Sequence, residues 1–473
     1  MRRTKVVCTL GPASSSLETI QAMVEAGMDL ARINMSHGTW ESHRTAIRRV
    51  REATDTVDRP VAILVDLAGP KIRVGELEEP RTLTVGAQVV MAPEGEAEGD
   101  EIPTTYAELA EEIRPGDMVL LDDGLLEFRC EGTEGDRARF TVVRGGELKS
   151  RKGINLPTVA VKAPSLTEKD LADLDFALEE GVEYIGLSFV RRREDLVDLQ
   201  SRVDGRALVV AKIEKVQALR ELEEILPETD AVMVARGDLG VELPFERVPL
   251  AQKRIIQAAN FSGRPVITAT QMLESMIEYP RPTRAEASDV ANAILDGSDA
   301  VMLSGETAVG AYPLESVKAL VSIAREIERS GVLERGPRYV TRPGPRSRGG
   351  ASPREHAVAS ATVDAVRQVD APAIIVITRS GFSARLVSSY RPPVPVFAVT
   401  TDPVTYRQLA AVWGVRAIRD TSEEEETYGR LLAVGREAVV KSGIGEPGAP
   451  VVVTAGYPFQ ESGTTNTMRL ERL

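Results

Sequence analysis

The chain has 473 residues, 42% hydrophobic and 27% charged, too many for one core and about right for three soluble domains. A net charge of −13 disfavours general nucleic-acid binding, and no apolar run approaches the ~18 residues that span a bilayer. Two cysteines, Cys8 and Cys130, imply no disulfide framework and point to a reducing compartment, and three histidines, His37, His43 and His356, all but exclude a histidine metal cluster. The opening MetArgArgThrLysVal runs into a strand pattern without the apolar stretch of a signal peptide, so a cytoplasmic protein is expected.

Apolar, β-branched runs read as strands at residues 5–10, 30–34 and 61–66, with an amphipathic helix at 15–27 that stops at Gly27. Residues 71–164 change character. Short alternating strands between turn signals predict a small all-β unit there, a β-barrel lid inserted into a loop. Strands return at 184–190, 207–214, 231–235, 265–269 and 300–304, alternating with helices at 167–181, 249–263 and 283–297. Gly181 and Gly263 stop two of those helices, and Thr283 with Glu286 forms a capping box that starts the third. Eight strand–helix units predict an α/β fold, a (β/α)8 barrel built from residues 1–70 and 165–332 and interrupted after its third strand. Residues 333–354, rich in Pro, Gly and Arg and aperiodic, read as a linker, and residues 355–473 as a separate C-terminal α/β domain of three layers.

Two strands of this barrel end in charge. One closes with Ala211-Lys212-Ile213-Glu214, the other with Ala235-Arg236-Gly237-Asp238-Leu239-Gly240. Ligands gather at the carboxyl ends of parallel strands, whereas a core ion pair between Lys212 and Glu214 would be costly and seldom stabilising. The other strand ends agree: Arg32, Asn34, Ser36 and His37 on the second, Asp66 to Gly75 on the third, Thr270 and Gln271 on the seventh, Ser304 to Glu306 on the eighth. Glu214 and Asp238 offer hard oxygens suited to Mg2+ or Mn2+, and the cations suit phosphoryl oxygens.

ThrLysValValCysThrLeuGlyProAlaSer, ArgIleAsnMetSerHisGly, LysIleGlu, ValAlaArgGlyAspLeuGly, AlaThrGlnMetLeuGluSerMet, ArgProThrArgAlaGlu and MetLeuSerGlyGluThrAla, in this order, resemble the pyruvate kinases. The resemblance spans essentially the whole chain. It implies transfer of the phosphoryl group of phosphoenolpyruvate to ADP, the final step of glycolysis, by a homotetramer; charge and hydropathy add that neither nucleic acid nor membrane is an expected partner. It assigns the metal to Glu214 and Asp238 and stabilisation of the moving phosphoryl group to Lys212. Backbone N–H groups of Gly237 and Asp238, with Thr270, would hold the substrate carboxylate. Thr270 and Ser304 would lie near the enolate carbon, the proton donor being left open. Arg32 and Arg73 would contact the phosphates, Asn34 and His37 would lie near the nucleotide, and Asp122, Arg151 and Lys152 would close over it from the lid. In the C-terminal domain Thr378, Arg379, Ser380, Gly381, Phe382 and Ser383 form a strand-to-helix turn able to cradle phosphate. The matching loop of the family binds a phosphorylated effector, and residues 463–467 would lie beside it.

One segment departs from the family. Potassium-requiring members resemble AspThrLysGlyProGluIleArgThr after the third strand, where this chain has Asp66-Leu67-Ala68-Gly69-Pro70-Lys71-Ile72-Arg73-Val74. Leu67 removes an oxygen from the cation site that Asn34, Ser36 and Asp66 would otherwise build, and Lys71 puts an ammonium nearby. The chain therefore resembles a potassium-independent bacterial subgroup, and K+ is not expected to be required. Two alternatives are a metal-dependent lyase or aldolase barrel acting on pyruvate or enolpyruvate, and a non-catalytic metabolite sensor. The first has no use for a nucleotide lid, and the second would have lost Lys212, Glu214, Asp238 or Thr270, all of which are present.

Overall fold

The computed structural model describes residues 2–159, 161–335, 351–422, 425–457 and 465–473. Eight parallel strands, Lys5–Thr9, Leu30–Asn34, Ala62–Asp66, Tyr184–Leu187, Leu208–Ile213, Ala231–Ala235, Val266–Ala269 and Ala300–Leu303, close a barrel in which each pairs with its neighbours in sequence and the last with the first. Side chains alternate across a strand, which sorts them into two cores. Val7, Leu30, Leu64, Val210, Met233 and Met302 fill the barrel interior, while Val6, Cys8, Ile63, Val65, Val209 and Val232 meet the helices outside. Two residues further along the same interior columns stand Arg32, Asp66 and Lys212, so the pleat that packs the core also aims the charges inward at the carboxyl rim.

The helices Leu17–Ala26, Glu168–Glu179, Val248–Phe261 and Arg284–Leu295 fall within two residues of the expected bounds. Thr283 N donates to Glu286 Oε2 at 2.7 Å and Glu286 N to Thr283 Oγ1 at 3.2 Å, closing the capping box. Gly27 ends the first helix at φ +130°, a conformation that a side chain would strain, and a Cβ there would lie 2.8 Å from Val321 Cγ2.

The insertion forms a curled six-stranded sheet, with a two-stranded ribbon of Arg81–Leu83 and Gly146–Leu148, around buried Phe128 and Phe140. A single short helix, Leu109–Glu112, interrupts its β pattern among the described residues. The lid rests on the barrel, where Asn155 Nδ2 donates to Glu242 Oε1 at 3.4 Å.

The C-terminal sheet runs Val415–Arg419, Val396–Thr400, Ile374–Ile377, Pro450–Ala455 and Thr467–Arg472, the last antiparallel to the rest. Ile374 and Val376 face one apolar layer, Ile375 and Ile377 the other. Its first helix, Pro353–Val369, begins inside the stretch read as linker, because Ser352 caps it and Pro353 takes the first helical position; residues 336–350 of that stretch lie outside the described residues. This domain closes the barrel floor: Ala410 joins the interior cluster, Tyr184 Oη donates to Gln408 O at 2.8 Å, and Lys5 Nζ to Val415 O at 2.8 Å. No helix among the described residues is long and apolar enough to cross a membrane.

Candidate active site

At the carboxyl rim Lys212 is the hub. Its Nζ lies 3.1 Å from Asp66 Oδ1 and 2.9 Å from Glu214 Oε1, and donates to Ser188 Oγ at 2.7 Å. Arg32 grips the other side of Asp66, with Nε at 2.8 Å and Nη2 at 2.5 Å from Oδ2, while its Nη1 donates to Thr9 Oγ1 at 3.0 Å. Phe189 N donates to Glu214 Oε2 at 2.7 Å from a backbone held at φ +54°. Burial opposes the charge of Lys212, but Asp66 and Glu214 outweigh it and raise its pKa, so the ammonium stays charged. Burial, reinforced by the like charge of Asp238, pushes Glu214 up against the pull of Lys212. For Asp66, Lys212 and Arg32 overcome burial and hold its carboxyl below the usual range.

The sixth and seventh strand ends meet through Arg236. Its guanidinium donates to Ala269 O at 3.2 Å, to Thr270 O at 2.6 Å and to Gln271 O at 3.1 Å, and pairs with Asp289 at 2.6 Å. This clamp holds Thr270 and Gln271 at φ +65° and +53°, strained values for residues with side chains. Thr270 Oγ1 accepts from Gly237 N at 2.8 Å and donates to Ala269 O at 2.7 Å, so the Gly237 N–H expected to face substrate bonds to the threonine. On the eighth strand end, Glu306 accepts from Ser304 N at 2.7 Å and Leu273 N at 3.0 Å, and Ser304 Oγ is buried with no hydrogen-bond partner among the described residues.

At the mouth a cleft of about 420 Å3 is lined by Ser36, Gly69, Lys71, Arg73, Tyr106 and Lys169. Lys71 Nζ donates to Ser36 Oγ at 3.1 Å. Desolvation, then repulsion from Lys212, lowers its pKa, while Asp238 and Glu214 act the other way, so the ammonium shares the field of the central cluster. Leu67 is buried with Met35 in the layer between strands and helices and offers no side-chain oxygen. Asn34 Oδ1 accepts from Ser36 N at 3.1 Å.

Residues 1–317 match the family described as "Pyruvate kinase, barrel domain" and residues 356–471 "Pyruvate kinase, alpha/beta domain". The chain is 44% identical over 477 residues to the pyruvate kinase of Mycobacterium intracellulare, covering 100% of this chain and 98% of that one. It is 42% identical over 481 residues to that of Geobacillus stearothermophilus, covering 99% of this chain and 80% of the relative. The chain belongs to the pyruvate kinase family. It is a phosphotransferase of that family, which generally needs Mg2+ or Mn2+.

The donor set of this pyruvate kinase suits such a cation. Asp66 is engaged by both Lys212 and Arg32 and Glu214 by Lys212, whereas the Asp238 side chain has no hydrogen bond or ion pair with the described residues and lies near enough to Glu214 to act on it as a like charge. No group of three or more His, Cys, Asp or Glu side chains poised for a metal occurs among the described residues, so substrate and water oxygens would have to supply the rest of the shell.

Other residues read from the sequence fall elsewhere. Arg73 Nη1 donates to Arg151 O at 2.8 Å, linking the mouth to the lid. Arg151 itself turns to Glu76 at 2.8 Å and Glu94 at 3.3 Å, Lys152 pairs with Asp122 at 2.9 Å, and none of the three lines the cleft. His37 is exposed. In the C-terminal loop Gly381 sits at φ +73°, where a Cβ would lie 2.8 Å from Arg385 Nη1. Thr405 Oγ1 donates to Arg379 O at 2.8 Å, and Ser383 Oγ lies 2.6 Å from Thr465 Oγ1, joining this loop to residues 465–467; Gly463 and Thr464 lie outside the described residues. Thr378 is buried, and Ser380 and Phe382 are half-buried. Sequence reasoning missed Ser188, Phe189 and the Arg236 clamp. The apolar strand ahead of Ser188 was visible, but a lone serine at its end carries no signal; Arg236 stood within a quoted motif.

Proposed function

We propose that this enzyme transfers the phosphoryl group of phosphoenolpyruvate to ADP without requiring K+, and that a phosphorylated metabolite regulates it. A β-phosphate oxygen of ADP attacks phosphorus, the bond from phosphorus to the enolate oxygen breaks, and the enolate takes a proton at its methylene carbon to give pyruvate. Lys212 acts as a fixed cation on the moving phosphoryl group; a raised pKa suits it for charge stabilisation and not for proton donation. Arg32 holds Asp66 and, through it, Lys212 in register, and Arg73 meets the nucleotide phosphates. Glu214 and Asp238 would hold Mg2+ or Mn2+, which supplies Lewis-acid charge to substrate oxygens when bound. Thr270 and the backbone N–H groups of Gly237 and Asp238 receive the substrate carboxylate, the Gly237 N–H exchanging its bond to Thr270 Oγ1 for one to the substrate. Thr270 and Ser304 are the two hydroxyls we assign to the path of the proton; the unpartnered Ser304 Oγ supports this role.

The observation that carries K+ independence is the Lys71 ammonium, 3.1 Å from Ser36 Oγ, in a chain whose buried Leu67 offers no side-chain oxygen. It takes the position of charge that a bound monovalent cation would otherwise supply. Asn34 and His37 flank the nucleotide, with Asp122, Arg151 and Lys152 reaching it on lid closure. The loop of residues 378–383 is the effector site, acting through different affinities in two conformations of a homotetramer working in cytoplasmic glycolysis. Lactate-dehydrogenase-coupled turnover tests the reading. Pyruvate should form only with phosphoenolpyruvate, ADP and Mg2+ together, and faster with some member of a panel of sugar phosphates and AMP. Pyruvate release without ADP would favour a lyase and overturn the assignment.

A further inference from the structure

At the end of the barrel opposite the active site, a cleft of about 320 Å3 is lined, among the described residues, by Arg2, Arg3, Arg325, Arg329 and Glu328. That is the size of a small-molecule site, about 300–1,000 Å3. Four guanidinium groups against one carboxylate is an unusual concentration in a chain of net charge −13. The carboxylate is already engaged, with Glu328 Oε2 accepting from Arg3 N and Oε1 from Thr4 N, each at 2.7 Å. Arg2 is neutralised by Asp29 at 2.5 Å. The other three have no carboxylate partner among the described residues: Arg3 lies 5.6 Å over the Trp413 ring, and Arg325 and Arg329 stand one turn apart on the helix Pro313–Arg329. Like charges at that spacing repel and destabilise a helix. Guanidinium forks that line one cleft suit the oxygens of a phosphate dianion.

We propose that this cleft binds a phosphate-bearing small molecule. It is separate from the loop of residues 378–383. That loop follows the carboxyl end of Ile374–Ile377, whereas Trp413 and Gly414 precede the amino end of Val415–Arg419, which runs parallel to it in the same sheet. Occupancy would bear on the seam between barrel and C-terminal domain, because Arg3 O accepts from Gly414 N at 2.9 Å.

The test uses the full-length enzyme, with inorganic phosphate and ribose 5-phosphate as separate probes, at constant ionic strength balanced with chloride. Calorimetric titration of the wild type should show a binding event that weakens at least tenfold in Arg325→Gln/Arg329→Gln. The single variant Arg329→Gln should show a smaller loss. Both substitutions are on exposed positions, and basal turnover without added phosphate should stay unchanged. Binding of both probes indicates that the phosphoryl group suffices, and binding of ribose 5-phosphate alone that the carrier is also read. Isotherms unchanged in the double variant, or chloride competing as well as phosphate, would overturn the proposal.

Discussion

Replacing Lys71 with glutamate exchanges an ammonium at the mouth of the site for a carboxylate and should make the enzyme depend on K+. The Lys71 ammonium acts on Lys212, Asp238, Arg73 and Glu214. A unit charge about 6 Å from a reacting phosphoryl group, at an effective dielectric of about 20, contributes roughly 3 kcal/mol, or about a hundredfold in rate. Water at the open mouth screens part of this, leaving roughly ten- to a hundredfold. Without K+, Lys71→Glu should therefore lose at least tenfold in kcat. Adding K+ should restore part of the loss, and more of it in Leu67→Thr/Lys71→Glu, which supplies the side-chain oxygen that Leu67 lacks. The assay is lactate-dehydrogenase-coupled turnover in tetramethylammonium buffer with and without K+. Undiminished K+-free activity in Lys71→Glu, or a loss that K+ does not touch in either variant, would refute the reasoning.

Lys212→Ala should leave Glu214 buried without its cation and Asp66 held by Arg32 alone, costing about 3–5 kcal/mol of stability as well as nearly all turnover, read by denaturation and by single-turnover kinetics. Arg236→Lys cannot span the carbonyls of Ala269, Thr270 and Gln271; kcat should fall at least tenfold with little change in melting temperature. Lys5, buried at the barrel floor, has its pKa lowered to about 8 by burial, against the pull of Asp29. Between that value and the ordinary 10.5 the unfolded chain binds more protons, so this contribution to stability rises with pH across the window and amounts to about 3 kcal/mol. Lys5→Met should abolish that rise, measured as denaturation midpoints from pH 7 to 11.

Much of the architecture was legible because the barrel strands repeat one physical signature, a β-branched run ending in charge. The pleat carries the interior columns outward, so Leu64 predicts where Asp66 points and Val210 where Lys212 points. What stayed hidden depends on partners distant in sequence. Ser188 matters only because the fourth strand sets it between Lys212 and the Leu67 carbonyl. The strain at Thr270 and Gln271 is invisible until Arg236 is seen to grip their carbonyls. The pairing of Arg151 with Glu76 and Glu94 was equally hidden, because those carboxylates lie far from it in sequence.

The central claim is that a lysine in this chain does the work of a bound monovalent cation. Steady-state turnover of the wild type with phosphoenolpyruvate, ADP and Mg2+, titrated with K+ from none to saturation in tetramethylammonium buffer, tests it most directly. Full activity at zero K+ with a flat titration is the predicted result, and a rise of tenfold or more on adding K+ would contradict it.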